Sequence, residues 1–307
     1  MDLLAIGGIT LDQIFKVSRL PKKHFEAEVI EFGTFFGGRA PNVAAMVAKI
    51  GLKTGIVSAV GQDFTDSGYE AHLRKLGVDL RGVIKVPGQK TKRIFIFSDP
   101  KGNQITFFHF GAEKHFEKME VPTDLIKESK IVHISSSGDY KFNINCAKVA
   151  HDNNVSVSFD PGNDPFTEIP EYLKGVISRT FFLFMNDVEV PGILERLELS
   201  DINELLTYGP SIVAIINKKD KSSKIYSKRK VENIPSAVKK VVDVTGASDG
   251  YAAGFLSGYM KTHDLRIAGM LGAVEASFIV EDFGCQTNLP NWKALSSRCK
   301  AIFNVTI

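Results

Sequence analysis

Val241-Val242-Asp243-Val244-Thr245-Gly246-Ala247-Ser248-Asp249-Gly250 runs directly into Tyr251-Ala252-Ala253-Gly254-Phe255-Leu256-Ser257-Gly258-Tyr259. A short β-branched run stops at small residues, and an apolar helical pattern starts behind them. Gly246, Ala247 and Ser248 have side chains small enough to leave successive backbone N–H groups open at the first turn of that helix. Open amides and the helix dipole together favour a bound anion. Asp249 lies in the same turn, although a carboxylate repels a phosphate. Two readings account for it. It is a base that takes a proton from a hydroxyl attacking that phosphate, or an acidic residue that complements the dipole. The segment alone does not separate them.

A second stretch lies far upstream. Thr34-Phe35-Phe36-Gly37-Gly38-Arg39-Ala40-Pro41-Asn42-Val43-Ala44-Ala45 enters a helix through Met46 to Ile50 and stops at Gly51. The two glycines let the backbone approach a ligand, Pro41 suits a first helical turn, and Asn42 can present its amide from that turn. A loop-to-helix turn that binds nothing fits the same residues.

Taken together and in this order, the two stretches resemble the paired signatures of the PfkB-type, ribokinase-like carbohydrate kinases, G-G-x-x-x-N-x-A and D-T-x-G-A-G-D. The resemblance implies that Asp249 is the catalytic base and that Gly246, Ala247 and Ser248 form the anion hole. It implies that Gly37, Gly38 and Asn42 hold substrate hydroxyls. Ser248 departs from the usual glycine and brings a β-carbon to the site. Asp243 and Thr245 match positions that bind a monovalent cation in some relatives, so potassium activation is an expectation.

Smaller matches follow the same order. Leu3-Leu4-Ala5-Ile6-Gly7-Gly8 is an apolar strand with a glycine exit, and Asp12 stands where the family grips two sugar hydroxyls with one carboxylate. Ala59 to Phe64 with Gly68 resembles a structural V-G-x-D-x-x-G turn. Asn186-Asp187-Val188-Glu189 fits an N-x-x-E element, in which Asn186 lies at the nucleotide and Glu189 acts on Mg²⁺ through water. The family's glycine-rich T-x-G-x-x-G floor is missing. The strand Ile212 to Ile216 continues as Asn217-Lys218-Lys219-Asp220-Lys221, leaving Asn217 and Lys218 as candidates for phosphate or ribose contact, or a solvated basic loop.

The global numbers suit an enzyme with a large core: 307 residues, 44% hydrophobic, and a net charge of +3. That charge is too small to argue for nucleic acid or a membrane surface. The three cysteines, Cys146, Cys285 and Cys299, make neither a disulfide framework nor a zinc motif. A reducing, cytoplasmic setting is therefore expected, with Cys146 in the core. No leader pattern opens the chain, and no apolar run reaches the ~20 residues of a membrane span. The Gly250, Gly254, Gly258 spacing then marks a closely packed helix.

Strand candidates at Leu3–Ile6, 56–60, 131–134, 155–159, 181–185 and Ile212–Ile216 alternate with helical patterns. Such alternation predicts an α/β doubly wound, mostly parallel sheet with helices on both faces and ligands at the carboxyl ends of the strands. Asp160-Pro161-Gly162 is either a site-facing turn or a plain one. Residues 14–32 and 92–110 break the alternation and read as strands, the second folding at Ser98-Asp99-Pro100-Lys101-Gly102-Asn103. The resemblance makes segments 13–34 and 91–111 a small β-sheet lid on a single domain spanning 1–307. It places Arg39, Phe107 and His109 within reach of substrate, and suggests a homodimer through the lid, where Ile94 to Phe97 and Phe107-Phe108 suit burial.

The implied activity is ATP- and Mg²⁺-dependent transfer of the γ-phosphate to a primary hydroxyl. Gly284-Cys285-Gln286-Thr287-Asn288-Leu289-Pro290 and the Gly-Gly-Arg-Ala-Pro-Asn form of the first signature most resemble archaeal-type nucleoside and adenosine kinase-like members. A ribose-bearing acceptor, nucleoside or sugar, is therefore expected. Ribokinase, ketodeoxygluconate kinase and phosphofructokinase types are alternatives. So is a sensor that binds the same ligands without turnover.

Overall fold

The computed structural model describes residues 1–136, 138–162 and 169–307. Thirteen strands are assigned among them. They are β1 Leu3–Ile6, β2 Thr10–Val17, β3 Val29–Gly37, β4 Thr54–Val60, β5 Asp79–Lys85, β6 Lys92–Ser98, β7 Gln104–His109, β8 Ile131–Ser135, β9 Ser156–Asp160, β10 Phe182–Asn186, β11 Ile212–Ile216, β12 Ser223–Ser227 and β13 Val231–Ile234.

Nine of the strands form one sheet in the order β13-β12-β11-β10-β9-β8-β1-β4-β5. The pairs from β5 to β11 are parallel, and β12 and β13 add an antiparallel edge. The central strands β1, β4 and β8 are buried at every residue, as expected when helices cover both faces of a parallel sheet. Leu3 and Ala5 of β1 join a core with the helices Arg39–Ile50, Ala247–Thr262 and Leu265–Ile279. Leu4 and Ile6 point the other way, toward the helices Tyr140–Asp152 and Pro170–Ile177. From β1 the chain builds outward through β4 to β5 and then returns to β8 on the other side. The carboxyl ends of β1 and β8 thus flank a topological switch point, where open α/β sheets bind ligands.

All six anticipated strands are present, β1 and β11 with the anticipated bounds and the other four shifted by a residue or two at their ends. Strands β5, β12 and β13 were not anticipated. They lie at the two edges of the sheet and keep exposed positions, so they lack the continuous apolar runs that mark the buried strands.

The other four strands form a second sheet, β3-β2-β6-β7, in which β2 and β6 are parallel and both outer pairs antiparallel. Residues 14–32 are not one strand: β2 ends at Val17 and β3 begins at Val29, with Ser18 N–H donating to Glu28 O across the gap. The hairpin β6–β7 turns where the sequence predicts. Asp99 Oδ1 accepts from the N–H groups of Lys101 and Asn103, both at 2.9 Å. Alternation gives this sheet two distinct faces. Ile94, Ile96, Thr106 and Phe108 line the main cavity of the molecule. Phe32, Phe15, Phe97 and Phe107 form an aromatic row across the other face, with ring centroids 4.7–6.2 Å apart between neighbours.

Candidate active site

The main cavity encloses about 500 Å³ and lies between the small sheet and the carboxyl ends of β1 and β8, bordered by Gly8 and Ser136. Two helix N-termini complete it: Gly38, Arg39 and Asn42 from the helix Arg39–Ile50, and Gly246, Ser248 and Asp249 from the helix Ala247–Thr262. The two signatures, far apart in sequence, therefore meet across one space.

Gly246 caps the second helix with a left-handed backbone (φ 79°) and no capping side chain. No side chain thus competes for the first-turn amides. The anticipated anion hole is only partly open, because the Ala247 N–H folds back to Val244 O at 3.2 Å. The Ser248 and Asp249 amides find no acceptor among the described residues. Asp249 is 4% exposed. Its Oδ2 accepts from Asn42 Nδ2 at 2.8 Å. Burial, with the charges of Asp160 and Asp12 added, raises its pKa to about 7, against the opposing pull of the Asn42 hydrogen bond and Arg39. A carboxyl poised near neutrality suits a general base better than one at the usual value near 4.

Asp12 faces the same cavity from β2. Thr10 Oγ1 donates to its Oδ1 at 2.5 Å. Burial lifts its pKa to about 6, with Thr10 and Lys92 opposing and Asp243 adding to the rise. Gly37 is fixed by this carboxylate: a β-carbon there would stand 2.1 Å from Asp12 Oδ2. Lys92 reaches the cavity from β6, but its charge is held by Glu113, 2.8 Å away and 1% exposed. Besides Arg39, Lys92 is the only lysine or arginine lining the cavity among the described residues. The wall on the side of the small sheet is apolar, made by Ile94, Ile96, Phe108 and Phe110. Phe107 and His109 do not take part. They alternate onto the opposite face of β7, which corrects their expected approach to substrate.

A smaller cavity of about 30 Å³ adjoins the first and shares Arg39 and Ser248 with it. Asp160, Asn186 and Glu189 line it. Burial raises the pKa of both acids, and the charge of Asp160 adds to the rise at Glu189. Arg39 opposes both shifts, and its Nη1 donates to Pro161 O at 3.3 Å. A buried carboxylate, Asp160, and a half-buried one, Glu189, with a single nearby cation leave negative charge that a hard divalent ion would neutralise. No group of three or more His, Cys, Asp or Glu side chains is placed to hold a metal among the described residues. An ion here would therefore keep much of its water, as Mg²⁺ does.

Other expected residues lie apart from these cavities. Asn217 closes its own turn, its Oδ1 accepting from Lys219 and Asp220 N–H. Lys218 is exposed, with its N–H donated to Asp187 Oδ1 at 3.1 Å. Neither lines the main or the small cavity. Both oxygens of Asp243 are engaged: Oδ1 accepts from Thr245 N–H and Oγ1, and Oδ2 from Gly284 N–H. Thr245 itself borders the main cavity.

The sequence left Lys92, Glu113, Thr10 and Tyr69, whose hydroxyl donates to Gly37 O at 3.0 Å, unmarked. Lys92, Glu113 and Tyr69 owe their places to tertiary approaches that no local pattern encodes, whereas Thr10 shares a face of β2 with Asp12 two residues on. Asp160 left a weak signal, an acidic residue at a strand's carboxyl end.

Known proteins resemble this one over nearly its whole length. The pfkB family carbohydrate kinase profile matches residues 1–292. A nucleoside kinase of Methanocaldococcus jannaschii is 40% identical over 299 residues, covering 96% of this chain and 96% of that protein. A nucleoside kinase of Methanothermobacter thermautotrophicus is 37% identical over 292 residues, covering 94% and 93%. The crystal structure of the M. jannaschii nucleoside kinase, described as an archaeal member of the ribokinase family, superposes with a TM-score of 0.91 at 38% identity and covers 98% of both chains.

Proposed function

The chain belongs to the pfkB family of carbohydrate kinases, and we propose that it transfers the γ-phosphoryl group of ATP to the primary hydroxyl of a nucleoside. One observation carries the assignment. Asp249, a buried carboxyl with a pKa near 7, sits beside the open first-turn amides of its helix, between a hydroxyl-gripping pocket and a cavity lined by acids.

Asp12, Gly37, Gly38 and Asn42 hold the ribose hydroxyls, and Asp249 takes the proton of the attacking one. The hydroxyl oxygen bonds to the γ-phosphorus as the bond to the β-phosphate bridging oxygen breaks, and ADP leaves. The Gly246 and Ser248 amides hold the transferring group, with the Ala247 amide joining if its turn to Val244 opens. Asp160 and Glu189, with Asn186, are the residues that would hold Mg²⁺, which when bound neutralises phosphate charge. Arg39 spans both cavities and orients the donor phosphates.

Two features favour a nucleoside over a sugar phosphate. Ile94, Ile96, Phe108 and Phe110 offer an apolar wall to a base. Glu113 neutralises Lys92, which removes the cation that a second phosphate would need. The nucleoside kinases at 40% and 37% identity point the same way. The small sheet then acts as a lid on one α/β domain, excluding water from the transfer. Three buried free thiols suit a cytoplasmic setting.

A coupled ADP-release assay with MgATP tests the assignment on adenosine, inosine, guanosine, cytidine, ribose, ketodeoxygluconate and fructose 6-phosphate, with Asp249→Asn as control. Turnover on a nucleoside, abolished by the substitution, is expected. Turnover only on a sugar or sugar phosphate would overturn the substrate. Ligand-induced thermal stabilisation without ADP would indicate a sensor.

A further inference from the structure

Gln286 has no part in the chemistry above, yet it is 8% exposed and lies one partner away from the base. Its Nε2 donates to Asn42 Oδ1 at 2.9 Å and to the Tyr69 hydroxyl at 2.5 Å. Its Oε1 lies 3.0 Å from His72 Nε2. Asn42 Nδ2 donates in turn to Asp249 Oδ2, and the Tyr69 hydroxyl donates to Gly37 O at 3.0 Å.

The direction of each bond follows from one end of this chain. An ionised carboxylate only accepts, so Asn42 must turn its NH₂ toward Asp249 and its carbonyl away. In this buried setting the carbonyl takes its donor from the Gln286 NH₂. The Gln286 oxygen then needs a donor of its own, which places a proton on His72 Nε2. Without Gln286, the Asn42 amide could rotate and present its oxygen to Asp249. That arrangement favours the protonated acid, which cannot serve as a base.

We propose that Gln286 is a positioning residue for phosphoryl transfer: it locks the Asn42 amide with its NH₂ toward Asp249, and through Tyr69 it ties the base to the Gly37 turn that holds the acceptor. The inference rests on Asp249 being the base. The titratable and charged groups facing this chain are Asp12, Asp160 and Arg39 around Asp249, Cys285 beside Asn42 with Asp243 near it, and Tyr69 and His72 around Gln286, with Lys49 and Lys75 near His72.

Two variants separate positioning from packing. Gln286→Met keeps the volume and removes both polar groups. Gln286→Glu keeps the shape but replaces the NH₂ donor with an acceptor, forcing Asn42 to turn its own NH₂ away from Asp249. Wild type, Asp249→Asn and both variants are compared for kcat, KM for nucleoside and ATP, the pH dependence of kcat, and melting temperature. Both Gln286 variants should lose ~10–100-fold in kcat, the scale of a misplaced reacting group, with KM for ATP within about threefold. In Gln286→Glu the acid limb of kcat should also move up by about one pH unit. If Gln286→Glu does not fold, the kcat-against-KM split in Gln286→Met decides.

Wild-type kcat in both variants would overturn the proposal. So would losses that follow a lowered melting temperature while the acid limb stays in place. An inactive wild type, or an Asp249→Asn protein as active as wild type, would instead overturn the parent assignment, and this inference falls with it.

Discussion

Asp249, Asn42 and Asp12, which the structure brings to one cavity, were legible through the resemblance of their stretches to a family's signatures, with small residues before a helix and a glycine pair before an amide as local support. Asp160 left only a weak signal at its strand end, and Gln286 and Lys92 carried no pattern of their own. What they do depends on which atoms come within 3 Å once the chain has folded. The same approach sets the ionisation of Asp249, where burial raises the carboxyl to about 7. A raised carboxyl pKa means that the folded state holds its proton more tightly than the unfolded chain does. Its contribution to stability is therefore fully present below about pH 4 and is lost as pH rises to about 7. Asp249→Asn should then be more stable than wild type at pH 7.5, by ~1–3 kcal/mol, with the gap closing by pH 4. Urea unfolding at the two pH values checks this, and an equal gap at both would contradict it. The acid limb of kcat/KM in the wild type should lie near the same pH.

At the scale of elements, the helix pair Ala247–Thr262 and Leu265–Ile279 seats Asp249. The glycine spacing in the first helix was readable as close packing, and the structure supplies its partner. A β-carbon on Gly254 would stand 2.4 Å from Leu271 O and 2.7 Å from Glu275 Cβ. Gly254→Ala should cost ~1–3 kcal/mol in unfolding free energy, and should lower kcat by shifting the N-terminus that carries Asp249. A fully stable, fully active variant would show that the pair has room to spare. Glu275 faces this interface with 0% exposure, and neither of its carboxylate oxygens has a hydrogen-bond partner. Burial holds its pKa well above the usual value. Glu275→Met should raise the melting temperature, more at pH 8 than at pH 5, because deprotonation in the unfolded chain pulls against the buried acid as pH rises. Nothing in the sequence flagged this residue. It falls on the apolar face of a helix, where periodicity predicts a hydrophobic side chain. The unanticipated strands β5, β12 and β13 show the converse, since edge positions relax the apolar pattern that makes buried strands visible.

At the scale of the whole molecule, the large sheet supplies a switch point and the small sheet one wall of the main cavity. No helix among the described residues is long and apolar enough to cross a membrane. The outer face of the small sheet carries an aromatic row, with Phe32 75% and Phe107 60% exposed. An exposed aromatic row of this kind suits burial against a second copy. Sedimentation should give a dimer that Phe32→Asp shifts toward monomer, and a wild-type monomer at micromolar concentration would contradict it. In the proposed reaction one phosphoryl group passes between the two cavities. Single-turnover transfer from γ-³²P-labelled ATP to a nucleoside, by wild type and Asp249→Asn side by side, tests it most directly. The account predicts labelled nucleoside monophosphate from the wild type and a rate lower by ~10²–10⁴ in the variant. Equal rates in both proteins, or label released only as inorganic phosphate, would contradict it.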